Sequence, residues 1–127
     1  MLLSIFTLLF PISGVDAVSV SYIPETGTPP SARIHPAIAL DSKSQKLYTY
    51  GGRSETILSD MWEFDLNSKL WSEIHPGSVL TPGSRSNAFM TALEDQKKLV
   101  LFGGELASGP TSDIWLFDIE NESVIFR

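Results

Sequence analysis

An all-β chain built of two sheet-sized repeats is what this sequence predicts, and three observations carry the prediction. The stretch LYTYGGRSETILSDMWEFD, residues 47–65, returns as LVLFGGELASGPTSDIWLFD, residues 99–118. Polar linkers of hairpin length separate the apolar runs of both copies. Cysteine is absent, so no disulfide framework holds the chain, yet 43% of its 127 residues are hydrophobic against 19% charged, enough for one folded domain with a core.

Residues 1–17, MLLSIFTLLFPISGVDA, carry no charge before Asp16, an apolar stretch from Leu2 to Phe10, and helix breakers at Pro11 and Gly14. That is the pattern of a secretory leader, with Val18 as the mature N-terminus, and it is too short to span a bilayer. The missing Lys or Arg in its first residues leaves an uncut anchor or an apolar strand open as alternatives. A secreted or lumenal location also fits the sequon Asn121-Glu122-Ser123, a glycan acceptor where it is exposed. Residues 18–32 line up with the stretch before Arg85, KLWSEIHPGSVLTPGS, so Val18–Ile23 is expected as an outermost strand whose sheet lacks its first three members.

The first repeat, residues 33–84, predicts strands at Ala37–Leu40, Lys46–Tyr50, Met61–Leu66 and Leu70–Ile74. The second, residues 85–127, predicts them at Ala88–Leu93, Lys98–Phe102, Ile114–Ile119 and Ser123–Phe126. The linkers DSKSQ and EDQK join the first two strands of each unit, and NSK and ENE the last two; all are polar hairpin-turn chemistry. Each unit is then a four-stranded meander. The early strands AIAL and LVLF are apolar at consecutive positions, as strands are when both sheet faces are covered, which for an antiparallel sheet implies further sheets stacked on each side. In the third strand Trp62, Phe64 and Leu66 share one face, with Met61, Glu63 and Asp65 on the other. The twin glycines close the second strand, where the backbone turns out with little room or with positive φ.

The glycine pairs Gly51-Gly52 and Gly103-Gly104, the aromatics Trp62 and Trp115 that follow them, Trp71 in the fourth strand, and the approaches Pro30 to Arg33 and Pro82 to Arg85 closely resemble the kelch repeat. The resemblance covers essentially all of residues 18–127 and departs at Val124, where the first copy and the family pattern place a tryptophan. It implies a kelch-type β-propeller, here partial: two four-stranded antiparallel blades plus one extra N-terminal strand. Closed propellers use about four to eight blades. Two alone would expose broad apolar faces, so the chain is expected to be the N-terminal piece of a longer protein, with a homo-oligomer of three chains completing a six-bladed ring as the alternative.

Several chemistries find no support in the residues. The formal charge is −6 and the basic residues are scattered, which argues against nucleic-acid binding. His35 and His75 have no second histidine at metal-ligand spacing, and no G-x-S-x-G elbow or phosphate-cradling glycine loop is present, so no catalytic residue, metal or cofactor is assigned. Asp60, Asp65, Asp113 and Asp118 recur at equivalent positions, which points to turn and hydrogen-bonding roles within the repeat. Arg33 and Arg85 recur likewise and are read as ties from each blade entry to nearby carbonyls or an acidic side chain. Enzymes resembling this architecture include galactose oxidase, whose copper site needs a cysteine, and iron-dependent specifier proteins, whose E-x-x-x-D-x-x-x-H spacing does not occur between Arg33 and Arg127. An enzymatic role would need catalytic residues beyond Arg127.

Binding is the favoured reading. The linkers after the second and fourth strands are longer and differ between copies, and meander topology puts them on one rim, where recognition usually lies. The candidate residues are Arg53, Ser54, Glu55, Thr56 and Ile57 from the first unit, Glu105, Leu106 and Ser108 from the second, and Ser78 and Leu80 between them. A protein partner is expected, with carbohydrate as a second possibility. Asn121 falls on the opposite rim.

Overall fold

A computed structural model describes residues 19–77 and 80–126. The segment read as a leader, Val18 and Ser78 lie outside them. The described residues form two four-stranded antiparallel sheets. The first holds β1 (Ala37–Asp41), β2 (Lys46–Tyr50), β3 (Met61–Asp65) and β4 (Leu70–Ile74); the second holds β5 (Phe89–Leu93), β6 (Lys98–Leu106), β7 (Gly109–Asp118) and β8 (Ser123–Phe126). Each sheet follows chain order, so each repeat is one meander and one blade.

Hairpin turns set the register. Asp65 Oδ1 accepts the backbone N–H groups of Asn67 and Ser68, both at 2.8 Å, and Asp118 Oδ1 accepts those of Glu120 and Asn121, both at 3.0 Å. These are aspartate turns, in which a short carboxylate satisfies the N–H groups two and three residues on. Lys69 and Glu122 complete them in left-handed conformation. The recurrence of Asp65 and Asp118 is thus explained by the turns.

The pleat then sorts the side chains. In β1, Ala37, Ala39 and Asp41 are buried while Ile38 and Leu40 face outward. Ala37, Ala39, Tyr48, Tyr50, Met61 and Ile74 of the first sheet pack against Met90, Ala92, Leu99, Leu101, Trp115, Phe117 and Val124 of the second, forming one core between the blades. The consecutive apolar residues predict cover on both faces. Within the described residues each sheet covers one, and Ile38 and Leu40 of the first blade and Phe89, Phe102, Ile114 and Ile125 of the second remain open. By repeat position these open faces are the counterparts of the two that meet in the core: Phe89 corresponds to Ala37, Phe102 to Tyr50, and Ile38 to Met90.

Two expectations are corrected. The strand expected at Val18–Ile23 does not form over the described residues 19–23. An isolated strand leaves its N–H and C=O groups unpaired, and among the described residues no strand lies alongside residues 19–23. The following segment behaves as an interblade linker: Thr26 N donates to Lys69 O at 2.9 Å, as Gly77 N donates to Glu122 O at 3.2 Å in the next unit. The second correction concerns the glycines. Gly103-Gly104 does not end its strand; the ladder shifts register between Phe102 and Gly104 and continues through Glu105↔Pro110 to Leu106↔Gly109. A bulge in β7, where Ser112 and Asp113 together oppose Gly103, lets pairing resume.

Candidate functional site

Each blade entry is held by an arginine. Arg33 donates to both carboxylate oxygens of Asp60 at 2.6 and 2.8 Å and to Gly51 O at 2.9 Å. Arg85 repeats this with Asp113 at 2.7 and 2.9 Å and Gly103 O at 2.8 Å. Trp62 and Trp115 each donate their indole N–H to the same aspartate, at 2.6 and 2.5 Å. The Arg85 side chain is 1% exposed. Its guanidinium holds the Asp113 carboxyl well below the usual range against the opposing effect of burial. Burial pushes Asp60 up, but Arg33 and Trp62 outweigh it and the carboxyl lies below its ordinary value. These clusters are the structural ties that the recurrence of Arg33 and Arg85 implied.

Above them the rim is laced by backbone bonds. Ile34 and Arg53 exchange N–H···O bonds, each 2.8 Å, and Ser86 and Glu105 exchange them at 3.1 and 2.8 Å. Asn87 N donates to His35 O at 3.0 Å, joining the two units. A continuous path of backbone bonds therefore runs from Arg53 to Glu105, which occupy the same station in successive blades. Both side chains are exposed. A cation and an anion so stand at equivalent stations on one hydrogen-bonded backbone path.

The remaining candidates are arranged less uniformly. Ser54, Glu55 and Thr56 are exposed at the tip of a tight turn closed by Ser54 N donating to Thr56 O at 3.0 Å. Ile57 is half-buried, bridged to Arg53. In the second unit the expected loop is a hairpin extension: Glu105 and Leu106 lie in β6, Leu106 half-buried, and Ser108 sits exposed at its tip. Leu80 is exposed in the connection from β4 to β5. The turns on the opposite rim include Asn121, which is exposed.

His35 and Asn87 were not among the expected binding residues. Both are exposed and hold left-handed backbone, φ 53° and 56°, at equivalent positions beside Arg53 and Glu105. The signal was present in the sequence: each lies two residues after its blade-entry arginine, and asparagine and histidine are among the residues that tolerate this conformation. Among the described residues, no group of three or more His, Cys, Asp or Glu side chains is placed to hold a metal ion, and no helix is long and apolar enough to cross a membrane.

The model of the KLHDC2/KLHL20/DRC7 Kelch-repeats domain matches residues 10–125. The chain belongs to the kelch repeat family. A kelch relative, Kelch domain-containing protein 1 of Mus musculus, is 35% identical over 96 residues, 73% of this chain, and the chain spans 23% of that relative's length. The family match begins inside the segment read as a leader. Kelch repeats commonly serve as protein-interaction modules, and the twin glycines, blade-entry arginines and paired tryptophans described above are the parts of this one that fix its rim.

Proposed function

We propose that this chain is a non-catalytic kelch binding segment that grips a protein partner through the rim carrying the β2–β3 and β4–β5 connections. The observation that carries this reading is the locked path from Arg53 through Ile34, His35, Asn87 and Ser86 to Glu105, which presents exposed side chains on a backbone already ordered. Preordered contact groups lose less entropy on binding than flexible ones. The opposite charges of Arg53 and Glu105 suit a partner segment carrying both signs.

Peptides selected on the full chain from a displayed library provide the test. The double variant Arg53→Ala/Glu105→Ala is expected to lose at least about tenfold in affinity for them, consistent with loss of one or two charged rim contacts. Unchanged affinity in a folded double variant would sink the assignment.

The apolar N-terminus and Asn121 support a secretory route for the same module. A glycan at Asn121 would lie on the rim opposite the binding loops and leave them clear. Expression in a secreting host is expected to yield a product whose gel mobility rises on endoglycosidase treatment, and to lose that shift with Asn121→Gln; a product insensitive to the enzyme would count against glycosylation.

A further inference from the structure

The departure at Val124 has a counterpart elsewhere in the fold. In the first blade Trp71 of β4 stands opposite Phe64 of β3, their ring centroids 4.9 Å apart. Its indole N–H donates to Glu25 Oε2 at 2.7 Å. In the second blade the same register pairs Phe117 with Val124. The linker bonds Thr26 to Lys69 and Gly77 to Glu122 align the two approaches, so Pro76 stands where Glu25 does. The ring and its hydrogen-bond acceptor are therefore both replaced, in one unit, by smaller apolar groups.

Among the described residues the space is left open. A cleft of about 260 Å³ lies between the outer halves of the two sheets, with Ile74 and Met61 on one wall, Leu101, Phe117 and Val124 on the other, and Pro76 at its edge. Trp115 also faces it, its N–H already given to Asp113. Apolar walls held apart in this way forfeit contacts that a small aromatic guest would restore. Glu73 and His75 stand at its lining, with His75 Nε2 and Glu73 Oε2 3.8 Å apart. These apolar walls offer an anionic guest no partner for its charge, so its desolvation would go uncompensated.

We propose that this cleft is a binding site for a flat, uncharged arene of indole size, occupying the place that a tryptophan fills in the first blade. The site borders the rim at Asp60 and Thr81 but includes neither Arg53 nor Glu105, so its failure would leave the rim reading untouched.

Indole titrated into the full chain, followed by methyl and amide NMR, tests it. Saturable shifts are expected at Ile74, Leu101 and Val124, with indole-3-carboxylate at least about tenfold weaker. Val124→Trp, which supplies its own ring, is expected to abolish the shifts. Ile74→Phe, which narrows the cleft from the opposite wall, is expected to weaken binding at least about tenfold, so the test does not depend on one variant folding. N-acetyltryptophanamide distinguishes the source of the ring: binding as tight as indole supports a protein side chain as occupant, and binding only of free indole supports a small molecule. Absence of saturable shifts at the lining residues, or shifts that persist undiminished in the folded variants, would overturn the proposal.

Discussion

Arg85→Met is expected to destabilise the protein by about 3 kcal/mol, because it removes a buried guanidinium and takes two donors from the Asp113 carboxylate, which keeps only the weaker neutral Trp115 donor among those described above, and one from the Gly103 carbonyl. Methionine keeps most of the aliphatic volume, so the loss reports the charge and its hydrogen bonds more than packing. The pH dependence provides a second readout. Asp113 is held well below its ordinary value when folded, whereas in the unfolded chain it titrates near about 3.9. On acidification the unfolded state therefore takes up this proton first. The stabilisation is complete above the unfolded value and drains away as pH falls towards the folded one. Urea unfolding between neutral pH and about pH 3 should show a steep acid loss in the parent and a shallower one in the variant. Equal acid slopes in the two would mean that Arg85 does not set the Asp113 titration.

Gly51→Ala is expected to cost about 3–4 kcal/mol, a large effect for one methyl group. Gly51 holds φ +62°, and a Cβ there would lie 2.3 Å from the Arg85 carbonyl oxygen and 3.0 Å from that of Leu58. The left-handed conformation alone costs an L-residue about 1–2 kcal/mol. The remainder arises because the obstructing atoms are backbone and are pinned: Arg85 O accepts the Gly52 N–H at 2.9 Å, and Arg85 N donates to Leu58 O at 3.0 Å. Relief of the contact would part the two sheets at their shared rim. Two other glycines separate the contributions. Gly83 has φ +73° but open space around its Cβ position, so alanine there should cost only the conformational part, about 1 kcal/mol. Gly77 has neither constraint, and alanine there should be neutral or slightly stabilising. Urea midpoints of the three variants check the order, and equal losses at Gly51 and Gly83 would refute the close-approach account.

Repetition made most of this fold legible. Two copies of one pattern locate the strands, because a landmark misread in one is corrected by the other, and polar turns between apolar runs locate the hairpins. What the pattern did not disclose depends on partners distant in sequence. Gly103-Gly104 looks like a strand end, yet a bulge carries β6 on to Leu106, since Thr111, Pro110 and Gly109 are available to pair. The run at Val18–Ile23 looks like a strand and is not one over its described residues, where no described strand lies alongside to pair with it. The candidate site was legible in its stations but not in its stiffness. Arg53 and Glu105 could be matched by aligning the copies. That their backbones are joined through His35 and Asn87 required coordinates. Val124 was visible as an anomaly, but a missing side chain becomes a cleft only once the opposing wall is in place.

The two open apolar faces of the pair are unlike each other, and this gives the molecule a direction. One presents Ile38 and Leu40, the other Phe89, Phe102, Ile114 and Ile125, and each has the character of the surface that the opposite face would meet. A new layer is welcomed at either end only in the same sense as the existing two, as a screw accepts a thread of one hand. Back-to-back pairing of like ends cannot reproduce the seating of Ala37 and Ala39 against the second sheet. Contacts of this head-to-tail type end only when the rotation from layer to layer brings the last face round to the first.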